Sequence, residues 1–181
     1  MLDVKQALES HWQTTQLDVL VNNAGMGVYA AIAETTSVQF DELVNVHVKV
    51  PFFLTQKLLP MLKDGSKIVN ISSGLARFSM PGYAAYAMMK GAIEVMTRYL
   101  ANELGARQIV VNTLAPGAIE TDFGGGMVRD NQEINGMIAS QTALGRVGLP
   151  DDIGSALTCM VSDDFKWVNG QRVEVSGGVL L

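Results

Sequence analysis

Short apolar runs alternate along this chain with longer segments in which apolar residues recur every three or four positions, predicting strand and helix in turn. Val4, Leu8 and Trp12 sit at helical spacing, and LDVLV (17–21) then reads as a strand with apolar residues facing both ways. A strand buried on both faces belongs to a parallel sheet. Thr36 and Gln39 form a capping box for a long helix through FDELVNVHVKVPFFLTQKLLPML, with a kink expected at Pro51 and Gly65 as its stop. KIVNI (67–71) is the second strand. An alanine-rich helix over 83–104, ended by Gly105, leads to the third strand, IVVNTLA (109–115). Asp122 to Thr142, with glycines at 124, 125 and 126, reads as a looser covering segment. Pro150 opens a further helix, PDDIGSALTCMV, and QRVEV (171–175) is the last strand. This alternation predicts an α/β fold with a doubly wound parallel sheet and right-handed crossovers. The length and the 48% hydrophobic share fit one domain over 1–181.

Charge narrows the function. Lysine and arginine number 13 against 18 acids, for a net charge of -5, and no basic run occurs, so a nucleic-acid partner is not expected. Cys159 is alone, which excludes an internal disulfide framework and a clustered thiolate metal site, and a small buried apolar role is expected for it in a reducing cytoplasm. MLDVKQALESHWQ lacks the cationic start, apolar run and cleavage site of a signal peptide, and no apolar stretch approaches the ~20 residues that cross a bilayer. A soluble, cytoplasmic protein without a membrane partner or a metal is expected.

In open parallel sheets ligands bind beyond the carboxyl ends of the strands. Here the first predicted strand runs into NNAG (22–25), the second into SSG (72–74), and the third into Pro116 and Gly117, with Thr121 shortly after. Small groups, glycine turns and hydroxyls let a flat ligand approach the backbone. In YAAYAMMKGA (83–92), a spacing of four sets Tyr86 and Lys90 side by side on one helix face. An ammonium beside a phenol favours phenolate, each unit below a reference pKa of about 10 representing about 1.4 kcal/mol. Tyr86 is therefore a candidate acid/base, and Ser73 could hydrogen-bond the same reacting oxygen.

Asn22-Asn23-Ala24-Gly25, Ser73, Tyr86-x-x-x-Lys90, Pro116-Gly117 with Thr121, and Gly170-Gln171 through Gly177-Gly178 occur in this order over nearly the whole chain. In these elements the chain resembles the short-chain dehydrogenase/reductases (SDRs), which implies a Rossmann-like fold and hydride transfer between NAD or NADP and a carbonyl or alcohol substrate. By this resemblance Tyr86 exchanges the proton, while Lys90 lowers the tyrosine pKa and bonds the nicotinamide ribose. Ser73 fixes the substrate oxygen. Pro116, Gly117, Ile119 and Thr121 hold the carboxamide end of the cofactor, and the turn containing Asn22, Ala24 and Gly25 borders its ribose.

The chain also departs from that pattern. No glycine-rich dinucleotide turn precedes the first predicted helix, so a chain truncated at the N-terminus, without the first βαβ portion, is expected. Gly25-Met26-Gly27-Val28-Tyr29-Ala30 fits G-x-G-x-x-A but does not open directly into a helix, as a pyrophosphate site requires. A bare LDVLV edge would invite pairing with another chain, predicting a homo-oligomer. His47 stands where the family usually places asparagine, with Asn45 facing elsewhere. It is either a water-holding relay to Lys90 that titrates near neutral pH or a histidine bonded within the core. Met80, Met127 and Met137 favour a hydrophobic substrate slightly, while His11 reads as a surface or packing residue, and Asp122 and Arg129 read equally well as pocket residues or as solvent-facing loop charges. Two alternatives remain: a cofactor-independent hydrolase with Ser73 as nucleophile and Tyr86 and Lys90 as base, and a non-catalytic remnant acting through oligomerisation.

Overall fold

The structure, a computed structural model, describes residues 2–181. Four parallel strands, β1 (Leu17–Asn22), β2 (Leu62–Ile71), β3 (Val110–Pro116) and β4 (Arg172–Val175), lie side by side in chain order. Leu20 stands opposite Ile68 and Ile68 opposite Val111, so the pleat puts these three on one face. There they are buried with Leu58 of α3 (Val50–Leu58) and Ala101 of α4 (Ala84–Glu103). The opposite face, carrying Val69, Leu114, Val173 and Val175, packs against Ile153, Ala156, Leu157 and Met160 of α7 (Pro150–Val161). Helices cover both faces, as the alternating pattern predicts for a doubly wound Rossmann-like sheet.

Near the carboxyl ends of the strands, the α3/α4 face changes from apolar to polar. Asn22, Asn70 and Thr113 are aligned across β1, β2 and β3. Asn22 donates to Asn70 Oδ1 (2.7 Å) and to Thr55 Oγ1 (3.1 Å). Asn70 donates to Thr97 Oγ1 (2.9 Å), which also accepts from Thr113 Oγ1 (2.7 Å) and donates to the Ile93 carbonyl (2.9 Å). This satisfied seam pins α3 and α4 to the strand ends, where burial of unpaired amides would be costly.

Helix α2 (Ser37–Val44) begins with the expected capping box, Thr36 Oγ1 accepting from the Gln39 N–H (3.2 Å) and Gln39 Oε1 from the Thr36 N–H (2.9 Å). It does not continue as one regular helix. A π-helical turn, Asn45–Lys49, stands before α3, with the Val50 N–H bonded to the Asn45 carbonyl. It ends two residues before Pro51, which has no N–H to extend the regular ladder. The expected stop at Gly65 is also displaced: Leu59–Met61 is already a 3-10 turn containing Pro60, and Gly65 (φ +82°) lies inside β2. There the β1–β2 register slips between Leu17 and Val19.

The segment after Asp122 is more ordered than its glycines suggested. A 3-10 turn, Phe123–Gly126, leads into α5 (Met127–Asp130) and α6 (Gln132–Ser140), whose first turn is capped by Asn131 Oδ1 accepting from Glu133 and Ile134 N–H groups. The left-handed backbone at Gly124, Gly125 and Gly126 makes that tight entry possible. On α1 (Leu2–Trp12), Leu8 is buried while Val4 and Trp12 are exposed. Cys159, expected inside, is exposed, because its neighbour Met160 takes the inward position on α7. No described helix is long and apolar enough to cross a membrane.

Candidate active site

The exits of β1, β2 and β3 open into one cavity of about 700 Å³, lined by Asn23, Ala24 and Gly25, by Ser73, and by Pro116, Gly117, Ile119 and Thr121. Helix α4 adds Tyr86 and Lys90 to the same wall. Gly117 permits a close approach of strands at this rim, since a Cβ there would lie 2.9 Å from Ser176. Ser73 caps the turn Gly74–Ala76, its Oγ accepting the Leu75 N–H at 3.2 Å. A side chain tied to its own turn has a fixed direction.

Tyr86 and Lys90 retain only 6% and 4% of their accessible surface. Lys90 Nζ donates to the Ile71 carbonyl at the end of β2 (2.8 Å) and lies 5.5 Å from the centre of the Tyr86 ring. Burial pushes the Tyr86 phenol up to about 12, with the Ser73 hydroxyl acting against that rise. Burial also pulls Lys90 down to about 8. The expectation that the ammonium would bring the phenol towards neutrality is thus corrected. Exclusion of water penalises phenolate more than the Ser73 hydrogen bond favours it.

The π-helical turn aims His47 inward, behind this pair. The ring is 1% exposed and meets Tyr86 edge to face, with centres 5.3 Å apart. Its Nε2 is 2.7 Å from the Met26 carbonyl, the shorter of its contacts, and we assign the proton there. Nδ1 is then a bare acceptor, buried and without a partner among the described residues. Burial, followed by the Lys90 charge, holds the imidazole below its usual range. Gly25 makes room for the ring, since a Cβ there would stand 3.1 Å from Cε1.

Other expectations divide. Ala24, Gly25, Pro116, Gly117, Ile119 and Thr121 do meet at the cavity. Asn22 does not: its amide belongs to the polar seam, and Asn23 faces the cavity instead. Asn45 is exposed, as its position two residues from His47 implied. Met80 lines the cavity, whereas Met127 and Met137 are exposed and the neighbouring Val128 and Ile138 line it. Arg129 pairs with Asp122 (2.6 Å) at the surface, and His11 is exposed. The apolar walls supplied by Leu75, Phe78, Phe123, Val179 and Leu180 had no periodic signal in the sequence. The G-x-G-x-x-A stretch runs through irregular backbone, and α2 begins only at Ser37. No metal-binding cluster of histidine, cysteine or acids occurs among the described residues.

Residues 3–180 match the family model described as "Enoyl-(Acyl carrier protein) reductase". An uncharacterized oxidoreductase of Methylorubrum extorquens is 38% identical, over 98% of this chain and 74% of its own length. The hydroxynaphthalene reductase-like protein Arp2 of Metarhizium brunneum is 36% identical, over 90% of this chain and 65% of its own. Among solved structures, the angucycline C-6 ketoreductase LanV with bound NADP superposes with a TM-score of 0.90 at 35% identity, over 97% of this chain and 67% of that one. The chain belongs to the short-chain dehydrogenase/reductase family, a class of nicotinamide-dependent oxidoreductases. It spans about two thirds to three quarters of the length of these relatives.

The lowered Lys90 pKa has a stability consequence. Between about 8 and the ordinary lysine value of 10.5 the unfolded chain keeps a proton that the native one has released, so stability rises with pH through that window. Below it, the buried ammonium costs a constant amount. Lys90→Met should therefore exceed the wild type by about 2 kcal/mol at pH 7, after allowing for the lost hydrogen bond to Ile71, and the advantage should vanish by about pH 10.5. Urea unfolding of both proteins across that range measures the difference, and a destabilised variant at pH 7 would contradict it.

Proposed function

We propose that this chain supplies the proton-transfer half of hydride exchange between a nicotinamide cofactor and a carbonyl or alcohol carbon, with Tyr86 as acid/base. The convergence of Ser73, Tyr86 and Lys90 on one cavity carries the reading. Ser73 and Tyr86 hold the substrate oxygen from the protein side. A phenol kept protonated by burial suits the reduction direction, in which it donates to the developing alkoxide. Lys90, anchored on Ile71, brings positive charge to that proton transfer and has N–H groups left for a ribose.

The residues fit the nicotinamide end of such a cofactor. Gly25 and Gly117 let His47 and Ser176 pack closely against the wall, and Ala24, Pro116, Ile119 and Thr121 continue it beside Lys90. When bound, the cofactor supplies or accepts the hydride. A hydrolase reading is weaker, because the Ser73 hydroxyl is engaged as an acceptor in its own turn and a phenol at about 12 is a poor base for it. The apolar walls, together with LanV's action as an angucycline ketoreductase, support a flat, fused-ring ketone as substrate. The exposed thiol of Cys159 suits a reducing, cytoplasmic setting.

Tyr86→Phe should reduce NADPH-dependent turnover of 2-tetralone by roughly 100-fold to 10,000-fold and leave NADPH affinity within about threefold. Retained turnover in that variant would remove Tyr86 from the chemistry.

His47 Nδ1, a buried acceptor close enough for the Lys90 charge to act on it, is suited to hold a water leading from the site lysine towards solvent. Protonation of His47 at low pH would close that path. His47→Asn should keep turnover at pH 8 and lose the acid limb of its pH profile, and an unchanged profile would assign the ring to packing alone.

We also infer a homo-oligomer. On α4, Met88, Val95 and Tyr99 form an exposed stripe, and neighbouring α3 exposes Val50, Phe53 and Leu54 at helical spacing. These helices offer a second copy more apolar surface than the β1 edge, where Val19 is exposed beside the charged pair Asp18 and Lys63 (2.7 Å). Sedimentation should give a dimer or larger for the wild type and a monomer for Val95→Glu; a monomeric wild type would refute the association.

A further inference from the structure

Beyond the reacting groups, a run of charged side chains crosses from α4 over β4 to the last residues of the chain. Glu94, one turn beyond Lys90, accepts from Ser72 Oγ and Arg172 Nε, both at 2.7 Å. Arg172 also donates to Glu174 Oε2 (2.7 Å) and to the backbone carbonyl of Ser73 (3.2 Å). Glu174 receives a two-pronged contact from Arg77, Nε to Oε2 at 2.8 Å and Nη2 to Oε1 at 2.7 Å. The same Arg77 guanidinium reaches the carbonyls of Val179 (2.8 Å) and Leu180 (3.1 Å).

Val179 and Leu180 are cavity walls, and they are held in place rather than simply packed there. Leu180 adopts φ +50°, a left-handed conformation that a leucine rarely takes unless its surroundings impose it. On its other side the tail is stitched to the segment after α6. The Leu180 N–H donates to the Gln141 carbonyl (3.0 Å), and the Ala143 and Leu144 N–H groups donate to Gly178 (3.1 Å) and Gly177 (3.0 Å). Arg77 follows the Ser73 turn directly, and its guanidinium lies 5.3 Å from the centre of Phe78, another wall residue. One residue therefore joins the hydroxyl-bearing turn, through its backbone, to an aromatic wall and the tail, through its side chain.

We propose that Arg77, braced by Glu174, is a positioning residue that clamps the Val179–Leu180 tail as a wall of the substrate cavity and so determines the size of ketone the site accepts. This rests on the carbonyl-reducing function proposed above. An isolated surface ion pair contributes little. This one differs because a planar, forked guanidinium meets a carboxylate on two atoms while bonding two carbonyls, a geometry that a lysine cannot reproduce. Hydrogen bonds from Arg77, then Arg172 and Ser176, hold the Glu174 carboxyl down to about 2, keeping the brace charged at working pH.

The test compares the full wild-type chain with Arg77→Met, which keeps an unbranched stem but has no donors. Hydrogen exchange should quicken roughly tenfold in a peptide covering the C-terminal tail and stay unchanged in α4. With NADPH, the KM for bicyclic 2-tetralone should rise about fivefold or more, while its kcat and both constants for cyclohexanone stay within about twofold. Unchanged tail exchange would overturn the clamp, and equal rises in KM for both ketones would overturn its role in size selection. If neither ketone is turned over by the wild type, the functional reading fails, whereas the exchange comparison still decides the clamp. Should Arg77→Met not fold, Glu174→Gln, which preserves side-chain shape, carries the same measurements.

Discussion

An ammonium removed from water at the end of β2 is the constraint around which this site is arranged. Lys90 is drawn in by the helix that also carries Tyr86, and its Nζ finds the Ile71 carbonyl. Burial penalises its charge and, one turn away, penalises phenolate as well, so the two groups move in opposite directions from their values in water. A phenol that holds its proton thus stands beside an amine brought down to about 8, and exclusion of solvent sets both.

That burial needs a rigid frame, and the polar seam supplies it. Asn22, Asn70 and Thr113 lie in register across three strands and are satisfied by Thr55 and Thr97 from the covering helices. The apolar cluster of Leu20, Ile68 and Val111 drives the helices onto the sheet, whereas the seam fixes where along the strands they sit. Directional bonds at the strand ends place Tyr86 and Lys90 more precisely than hydrophobic contact alone could.

The polar groups of the cavity and its apolar walls have different origins. Serine and the glycine turns follow the strand exits, and α4 brings Tyr86 and Lys90 to the same end of the sheet. The walls come from the Ser73 turn, the segment around α5 and α6, and the C-terminal tail, which meet only because the chain returns to the sheet through β4. The apolar walls are thereby separated from the polar groups, with the ion network between Glu94 and Arg77 lying where the two meet.

The strand and helix order, the parallel sheet, the Thr36 capping box and the Tyr86/Lys90 pair were legible in the sequence because each depends on local periodicity or on residues a few positions apart. Ser73 and the turn at Pro116 and Gly117 could be placed at a common rim because parallel strands bring their exits together. Tertiary structure alone decided that Asn22 serves the frame while Asn23 faces the cavity, and that a π-helical turn before Pro51 carries His47 in behind Tyr86. It also set the direction of the Tyr86 shift and joined Arg77 to a tail about a hundred residues away. Those outcomes depend on solvent exclusion and long-range packing, and neither leaves a period or a spacing in the order of the residues.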